Sequence, residues 1–343
     1  MPALLATVLA AAAIAGCAKG DIIGSGGAGG TAGAQSGNGG AGGVTIAITT
    51  PTVPPTDAAT VSQVVGCDGG DGCVCPPVNL AVLGKPGKWG ANPAGDPDTA
   101  LQDWLNSSSA GTARADNFTG RVTLTADFLS TYNVIILASL ADDSNMGPWW
   151  TYSDAEVAAF RAWLEAGGGV IALTGYSSGN EMSPVNQLIG WSGVSFNNDG
   201  VWGGCVDWQI CGCTHSNTVS DWNRSDPVIA NLSKGVTLVG FQNGHSIAAP
   251  ADGHVGATVD GKNVLVGKSV GQGRVLAFGD EWITYTSQWT GAGDPSGTDP
   301  NCVGFLPQDK YQMAQFWYNM IRWSQPTATC FTIIDTVVPI TIW

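Results

Sequence analysis

Two apolar runs, Val134-Ile135-Ile136-Leu137-Ala138 and Val170-Ile171-Ala172-Leu173-Thr174, flank a segment with helical periodicity. Their alternation constrains the fold more than any other feature of the chain. Each run is too short for a helix and suits a strand buried on both faces. Between them Ser153-Asp154-Ala155-Glu156 reads as a capping box. Val157, Phe160 and Leu164 then fall near the 3.6-residue period, with Trp163 beside them and Arg161 as the one polar exception. Gly167-Gly168-Gly169 ends that helix.

The same alternation extends on both sides. Val78 to Leu83 reads as a first strand, stopped at Gly84. Asp96-Pro97-Asp98 opens a helix through Trp104, with Pro97 suited to a first turn. Thr112 to Asp116 reads as a second strand, and Asp127-Phe128-Leu129 as a short helix. Further on, Val236 to Phe241 is predicted to be a strand. Val264-Leu265-Val266 and Val275-Leu276-Ala277-Phe278 flank Gly271-Gln272-Gly273 as a hairpin. Gln308 to Trp323 is predicted as a closing helix, with Met313, Phe316, Trp317, Met320 and Ile321 on one side. Strands alternating with helices imply an α/β domain over residues 77–326, a doubly wound, mostly parallel sheet with helices on both faces.

What precedes this domain has a different character. Residues 1–16, MPALLATVLAAAAIAG, form an apolar run too short for an ordinary transmembrane helix and ending in small residues, as an export signal does. Ile14-Ala15-Gly16-Cys17 resembles the bacterial lipobox, which implies cleavage before Cys17 and a lipid on its thiol. Ala18 in place of Asp implies, by the same resemblance, outer-membrane or surface display rather than inner-membrane retention. Residues 17–76 hold a Gly/Ala/Ser-rich stretch at 24–43, then a Thr/Pro-rich one. Such composition buries too little apolar area to offset its conformational entropy and reads as a tether. Tethers of this kind are similar to those of myxobacterial lipoproteins.

Nine cysteines leave eight once Cys17 is set aside: Cys67, Cys73, Cys75, Cys205, Cys211, Cys213, Cys302 and Cys330. An even remainder in an exported chain argues for disulfides, and two clusters share the spacing Cys-x5-Cys-x-Cys. The pairing stays open. Zinc sites favour Cys-x2-4-Cys pairs, which are absent, so no metal site is expected from these cysteines. The acidic segments Asp68 to Asp71 and Asp294 to Asp299 are candidate calcium loops, although neither has the EF-hand spacing. No other cofactor is expected. A net charge of -14 excludes nucleic acid as a natural partner. The absence of a basic amphipathic stretch argues against direct docking on anionic lipid, so membrane contact is expected through Cys17 alone. Residues 327–343 are apolar but interrupted by Asp335 and Pro339, and read as a tail or added edge strand.

Three segments resemble the class I glutamine amidotransferase-like superfamily, in its trehalose-utilisation-like and uncharacterised branches. They are Tyr132-Asn133-Val134-Ile135-Ile136-Leu137, Ala159 through Val170, and Gly273-Arg274-Val275-Leu276-Ala277-Phe278-Gly279-Asp280. The resemblance implies a flavodoxin-like sheet with a cysteine-bearing insertion. It also implies a nucleophile elbow after the strand at 170–174. That place reads Gly175-Tyr176-Ser177-Ser178-Gly179, a G-x-S-x-G string with Ser where relatives such as cyanophycinase-like peptidases carry it.

A serine needs a base. The late strand is followed by Asp280-Glu281-Trp282, an acid without the family's His. Ser177, His245 and Glu281 form a conceivable nucleophile, base and orienting acid. We expect instead a non-catalytic site for a polar ligand or glycan, with extracellular serine hydrolysis as the alternative. Ligands of open parallel sheets sit beyond strand carboxyl ends. Tyr176, Asn180, Asn243, Asp280 and Trp282 are placed there with His245 and Glu281, and Trp149, Trp150, Trp202 and Trp208 lie in loops that could serve as sugar platforms.

Overall fold

The computed structural model describes residues 77–85, 98–109, 113–142, 147–175, 180–202, 218–219, 221–241, 243–290 and 311–325. The signal and tether segments, the C-terminal tail, all nine cysteines and both candidate calcium loops lie outside these residues.

The strand–helix alternation appears as read. β1 (Val78–Leu83), β2 (Ala113–Phe118), β3 (Val134–Leu137) and β4 (Gly169–Leu173) are parallel neighbours in the order β2-β1-β3-β4. α1 (Thr99–Asp103) connects β1 to β2 and continues as a π-helical turn over Trp104–Ser108, beyond the predicted end at Trp104. α2 (Ala126–Ser130) leads into β3, and α3 (Asp154–Glu165) links β3 to β4. α4 (Met182–Ile189) follows β4.

Four short strand pairings follow or involve the next stretch. β5 (Ser195–Phe196) pairs with β11 (Ile247–Ala248), and β6 (Val201–Trp202) with β10 (Asn243–Gly244). β7 (Thr218–Val219) pairs with β9 (Val239–Gly240). β8 (Asp221–Trp222) joins the main sheet beside β12 (His254–Val259). β13 (Lys262–Val270) and β14 (Gly273–Phe278) complete it, giving β2-β1-β3-β4-β14-β13-β12-β8. β14 is parallel to β4, and the last three contacts are antiparallel. α5 (Thr286–Thr290) and α6 (Met313–Ser324) lie beyond β14 in sequence. Among the described residues no helix is long and apolar enough to cross a membrane.

Successive strand residues face opposite ways. Leu80, Val82, Ile136, Leu173 and Phe278 pack with Leu101 of α1, with Trp104 just after it, and with Phe316, Trp317 and Met320 of α6. Leu83, Ile135, Leu137, Ala172 and Ala277 pack on the other face with Leu129, Phe160, Leu164, Val185 and Leu188. The sheet is therefore covered on both sides, an α/β, flavodoxin-like, doubly wound architecture. The three segments that resemble the amidotransferase-like superfamily supply β3, the end of α3 with the start of β4, and β14, and these three strands are adjacent in the sheet.

Local chemistry explains the joints. Ser153 Oγ accepts from the Glu156 main-chain N–H at 3.3 Å, and Glu156 Oε2 accepts from the Ser153 N–H at 2.9 Å, so both halves of the capping box are made. Gly168 is required because a Cβ would lie 2.5 Å from the Trp163 indole, and a Cβ at Gly169 would lie 2.0 Å from Ser324 O. These close approaches let α3 and α6 press on opposite faces of β4.

Two expectations need correction. The predicted strand at Val236 to Phe241 shrinks to β9. Gln312 Oε1 accepts from the Thr237 and Leu238 N–H groups at 2.9 and 2.8 Å, which removes the donors a longer ladder would need. The closing helix begins at Met313, and that same engaged side chain belongs to the residue just before it.

Candidate functional site

Phe278 of β14 lies opposite Leu173 of β4 in parallel register, so the two strands leave the sheet side by side. Thr174 Oγ1 donates to Gly279 O at 3.3 Å across that exit. The chain segment of β10 crosses the same point: the His245 N–H donates to Gly279 O at 2.9 Å. Glycines make the crossing feasible. A Cβ at Gly244 would sit 1.8 Å from Gly279 O, and one at Gly279 would sit 2.3 Å from His245 O. A Cβ at Gly175 would sit 2.4 Å from the Glu281 carboxyl carbon.

An acidic, buried cluster forms around this exit. Glu181 Oε1 accepts from the Gly175 N–H at 2.9 Å, and Glu281 Oε1 accepts from the Tyr285 hydroxyl at 3.0 Å. Glu181, Asp280, Glu281 and Tyr285 are all buried. Asp280 caps the short 3-10 turn Glu281–Thr284, with Oδ1 accepting from the Trp282 N–H at 2.9 Å. Burial, with Asp280 nearby and in spite of the Tyr285 hydroxyl, pushes the Glu281 carboxyl up to about 8. Burial, then the charges of Glu281 and Asp280, raise Glu181 well above the usual carboxylate range. Both shifts favour the neutral acid, and each Oε2 is buried and without a hydrogen-bond partner among the described residues. The side-chain amide of Gln288, also buried, is unpartnered there at both atoms.

His245 is 1% exposed. Its Nδ1 lies 2.8 Å from the Asp199 main-chain oxygen, and only an N–H can satisfy a carbonyl, so Nδ1 carries the proton. Burial lowers its pKa, and the Asp199 carbonyl only partly opposes this. The ring is neutral, leaving Nε2 a buried lone pair with no partner among the described residues.

The candidate residues are placed as follows. Asp280, Glu281 and His245 meet around Gly279. The half-buried Trp282 follows directly, its backbone held by Asp280. Asn180 is exposed at the entry to α4, and Asn243 belongs to β10. Tyr176, Ser177 and Trp208 lie outside the described residues. The orienting role expected of Glu281 is not made toward His245: the imidazole Nδ1 faces a main-chain carbonyl, and Glu281 faces Tyr285. Trp150 is no platform either, since it is buried and its Nε1 donates to Asp142 Oδ1 at 2.8 Å.

Sequence reading missed Asp199, Glu181, Tyr285 and Gln288. Tyr285 carried a signal, at one helical turn from Glu281. Glu181 carried one too, as the lone acid closing a Gly/Ser/Asn stretch after β4. Among the described residues no group of three His, Cys, Asp or Glu side chains has the arrangement of a metal site.

No protein-family model and no curated protein matches the chain. Solved structures share its general outline at low identity. A cytoplasmic protein from Salmonella typhimurium LT2 is 16% identical, with a TM-score of 0.48, covering 72% of this chain and 100% of that one. Two proteins described as thua-like, from Bacteroides uniformis and Parabacteroides merdae, are 14% and 11% identical. Their TM-scores are 0.43 and 0.39. Each covers 73% of this chain and 92% of its own.

Proposed function

We propose that this chain is an exported protein, lipid-anchored through Cys17 to the outer membrane or cell surface, whose amidotransferase-like α/β domain binds an uncharged polar ligand, a glycan unit being the natural class. One observation carries the binding reading. Hydrogen-bonding capacity without a partner among the described residues gathers beyond the carboxyl ends of β4 and β14 in Oε2 of Glu181 and Oε2 of Glu281, and Nε2 of His245, whose main chain crosses there at Gly279, is likewise unpartnered among them. A buried polar atom without a partner costs about 1–3 kcal/mol, which a ligand supplying that partner recovers. Protonated carboxyls both donate and accept, as sugar hydroxyls do. Protonated acids also offer no positive charge to an anion.

Calorimetric titration of the domain with neutral mono- and oligosaccharides is the direct test. At least one should bind, and Glu281→Leu should weaken it roughly tenfold, the loss expected for one buried hydrogen bond. A panel that binds nowhere, or binds equally well to Glu281→Leu, would sink the reading.

The second reading, serine hydrolysis at Ser177, is favoured by the state of His245. An imidazole with Nδ1–H anchored and Nε2 open is what a general base requires. A fluorophosphonate probe labelling Ser177, and not labelling the His245→Asn variant, would move the assignment to hydrolysis.

A further inference from the structure

Asp199 stands outside the acidic cluster, on the turn between β5 and β6, yet it touches His245 through its main chain and braces that contact through its side chain. Its carboxylate accepts from the Ser246 N–H at 3.0 Å, from Ser246 Oγ at 2.9 Å and from Lys262 Nζ at 3.0 Å. Lys262 Nζ also reaches Gly200 O at 3.2 Å, and Asn197 Nδ2 donates to Ser246 Oγ at 2.8 Å. Asn197 N–H donates to Ser246 O at 2.8 Å. The turn carrying the Asp199 carbonyl is therefore tied to the residue that follows His245 and to the start of β13. A carbonyl held this firmly, with the Asn197 backbone as a weaker second contact, sets how the imidazole sits.

We propose that Asp199 is the positioning residue of the site, fixing His245 as its Nδ1–H tautomer so that Nε2 is a permanent acceptor, and that the ligand must offer a hydroxyl or N–H donor to it. The second half rests on the binding reading above; the first half does not. A free imidazole in water favours the other neutral tautomer modestly and exchanges between the two. Fixing one in advance removes an ordering cost from binding. The carboxylate of Asp199 stays ionised at neutral pH because Ser246 and Lys262 outweigh its partial burial, so the clamp is present wherever the ring is neutral. A ligand lacking a donor, such as a methyl ether at the contacting oxygen, leaves Nε2 buried and unpaired and is rejected.

The test is 15N NMR of the histidine side chains in the full chain, with His245 assigned by the loss of its signals in His245→Gln. In the unmodified protein Nδ1 should be protonated and Nε2 unprotonated at pH 7 to 8. Asp199→Ala should give a mixture of tautomers, and Asp199→Asn, which keeps an oxygen for Ser246, should restore the single one. A merely structural role would not change the tautomer of a folded variant. Nε2–H in the unmodified protein overturns the proposal whatever the variants do, as does a single unchanged tautomer in folded Asp199→Ala. Saccharide titration separates the two readings: a fixed tautomer without any binding refutes the ligand and keeps the clamp. Binding that is indifferent to an Asp199→Ala variant with mixed tautomers refutes the claim that the ligand needs the fixed acceptor. Binding that resists methylation of every ligand hydroxyl refutes the donor requirement.

Discussion

Glu281 and Glu156 are both buried carboxyls, and they titrate in opposite directions. Burial dominates at Glu281, whose one described donor is the Tyr285 hydroxyl, and its pKa rises to about 8. Burial also raises Glu156, but hydrogen bonds from Ser153, Arg121 and the Leu124 N–H outweigh it and bring the group down to about 2. The linkage signs follow. For Glu281 the unfolded chain releases its proton first, so its contribution is present below about pH 4.5 and is lost as pH rises toward 8. For Glu156 the contribution is present above about pH 4.5 and is lost as pH falls toward 2. We expect the domain to melt at a higher temperature near pH 5 than at pH 8. Glu281→Gln, which mimics the protonated acid, should flatten that fall. Thermal unfolding followed by circular dichroism at constant ionic strength reads this out. His245, buried with its pKa lowered, works in the opposite sense in both proteins, so the comparison decides: an equal slope in Glu281→Gln would contradict the burial of a neutral acid.

Elements differ in how much of them was readable. The capping box of α3 and the β13–β14 hairpin rest on contacts local in sequence, and the βαβ unit on apolar and helical patterns each readable within its own segment; each formed as expected. The hairpin between β12 and β13 was overlooked although Asp260-Gly261 carries its turn signal. Both residues have positive φ, 50° and 72°, as a two-residue primed turn demands. Positive φ alone and positive φ with crowding make distinct predictions. Gly261 has φ +72° and nothing within 4 Å of a built Cβ, so Gly261→Ala should cost about 1–2 kcal/mol of stability. Gly84 has φ +109°, and a Cβ there would lie 1.6 Å from Ala138 O, backbone that cannot yield. Gly84→Ala should cost several times more or prevent folding. Denaturant unfolding of the two variants compares them, and equal costs would mean that the β1–β3 junction is looser than the structure shows. The shortened β9 belongs to the other class, since its donors were claimed by Gln312, a residue 75 positions from Thr237.

At the scale of the whole molecule, the proposed anchor and the domain make separable claims. Cys17→Ala should move the protein from the membrane fraction to the soluble one when expressed with its own first 16 residues, without altering saccharide binding. Continued membrane association in that variant would argue against lipid attachment at Cys17. The packing of the sheet explains why the fold class was legible: apolar runs without polar interruptions need cover on both faces, and only helices returning over each side supply it.

The sequence by itself determined the strand–helix order, the capping of α3, the two-faced burial of the sheet and the general address of a site at strand ends, because these follow from periodicity and short-range hydrogen bonding. It also placed Asp280, Glu281 and His245 near such ends. Only the tertiary structure decided what those groups are. Glu181 meets Gly175 six residues away, but His245 meets Asp199 across 46 positions and Gly279 across 34. Protonation follows from burial and from which atoms approach, and both are properties of the assembled sheet. A carboxyl becomes a neutral acid, and an imidazole a fixed acceptor, when distant segments close over it and exclude water.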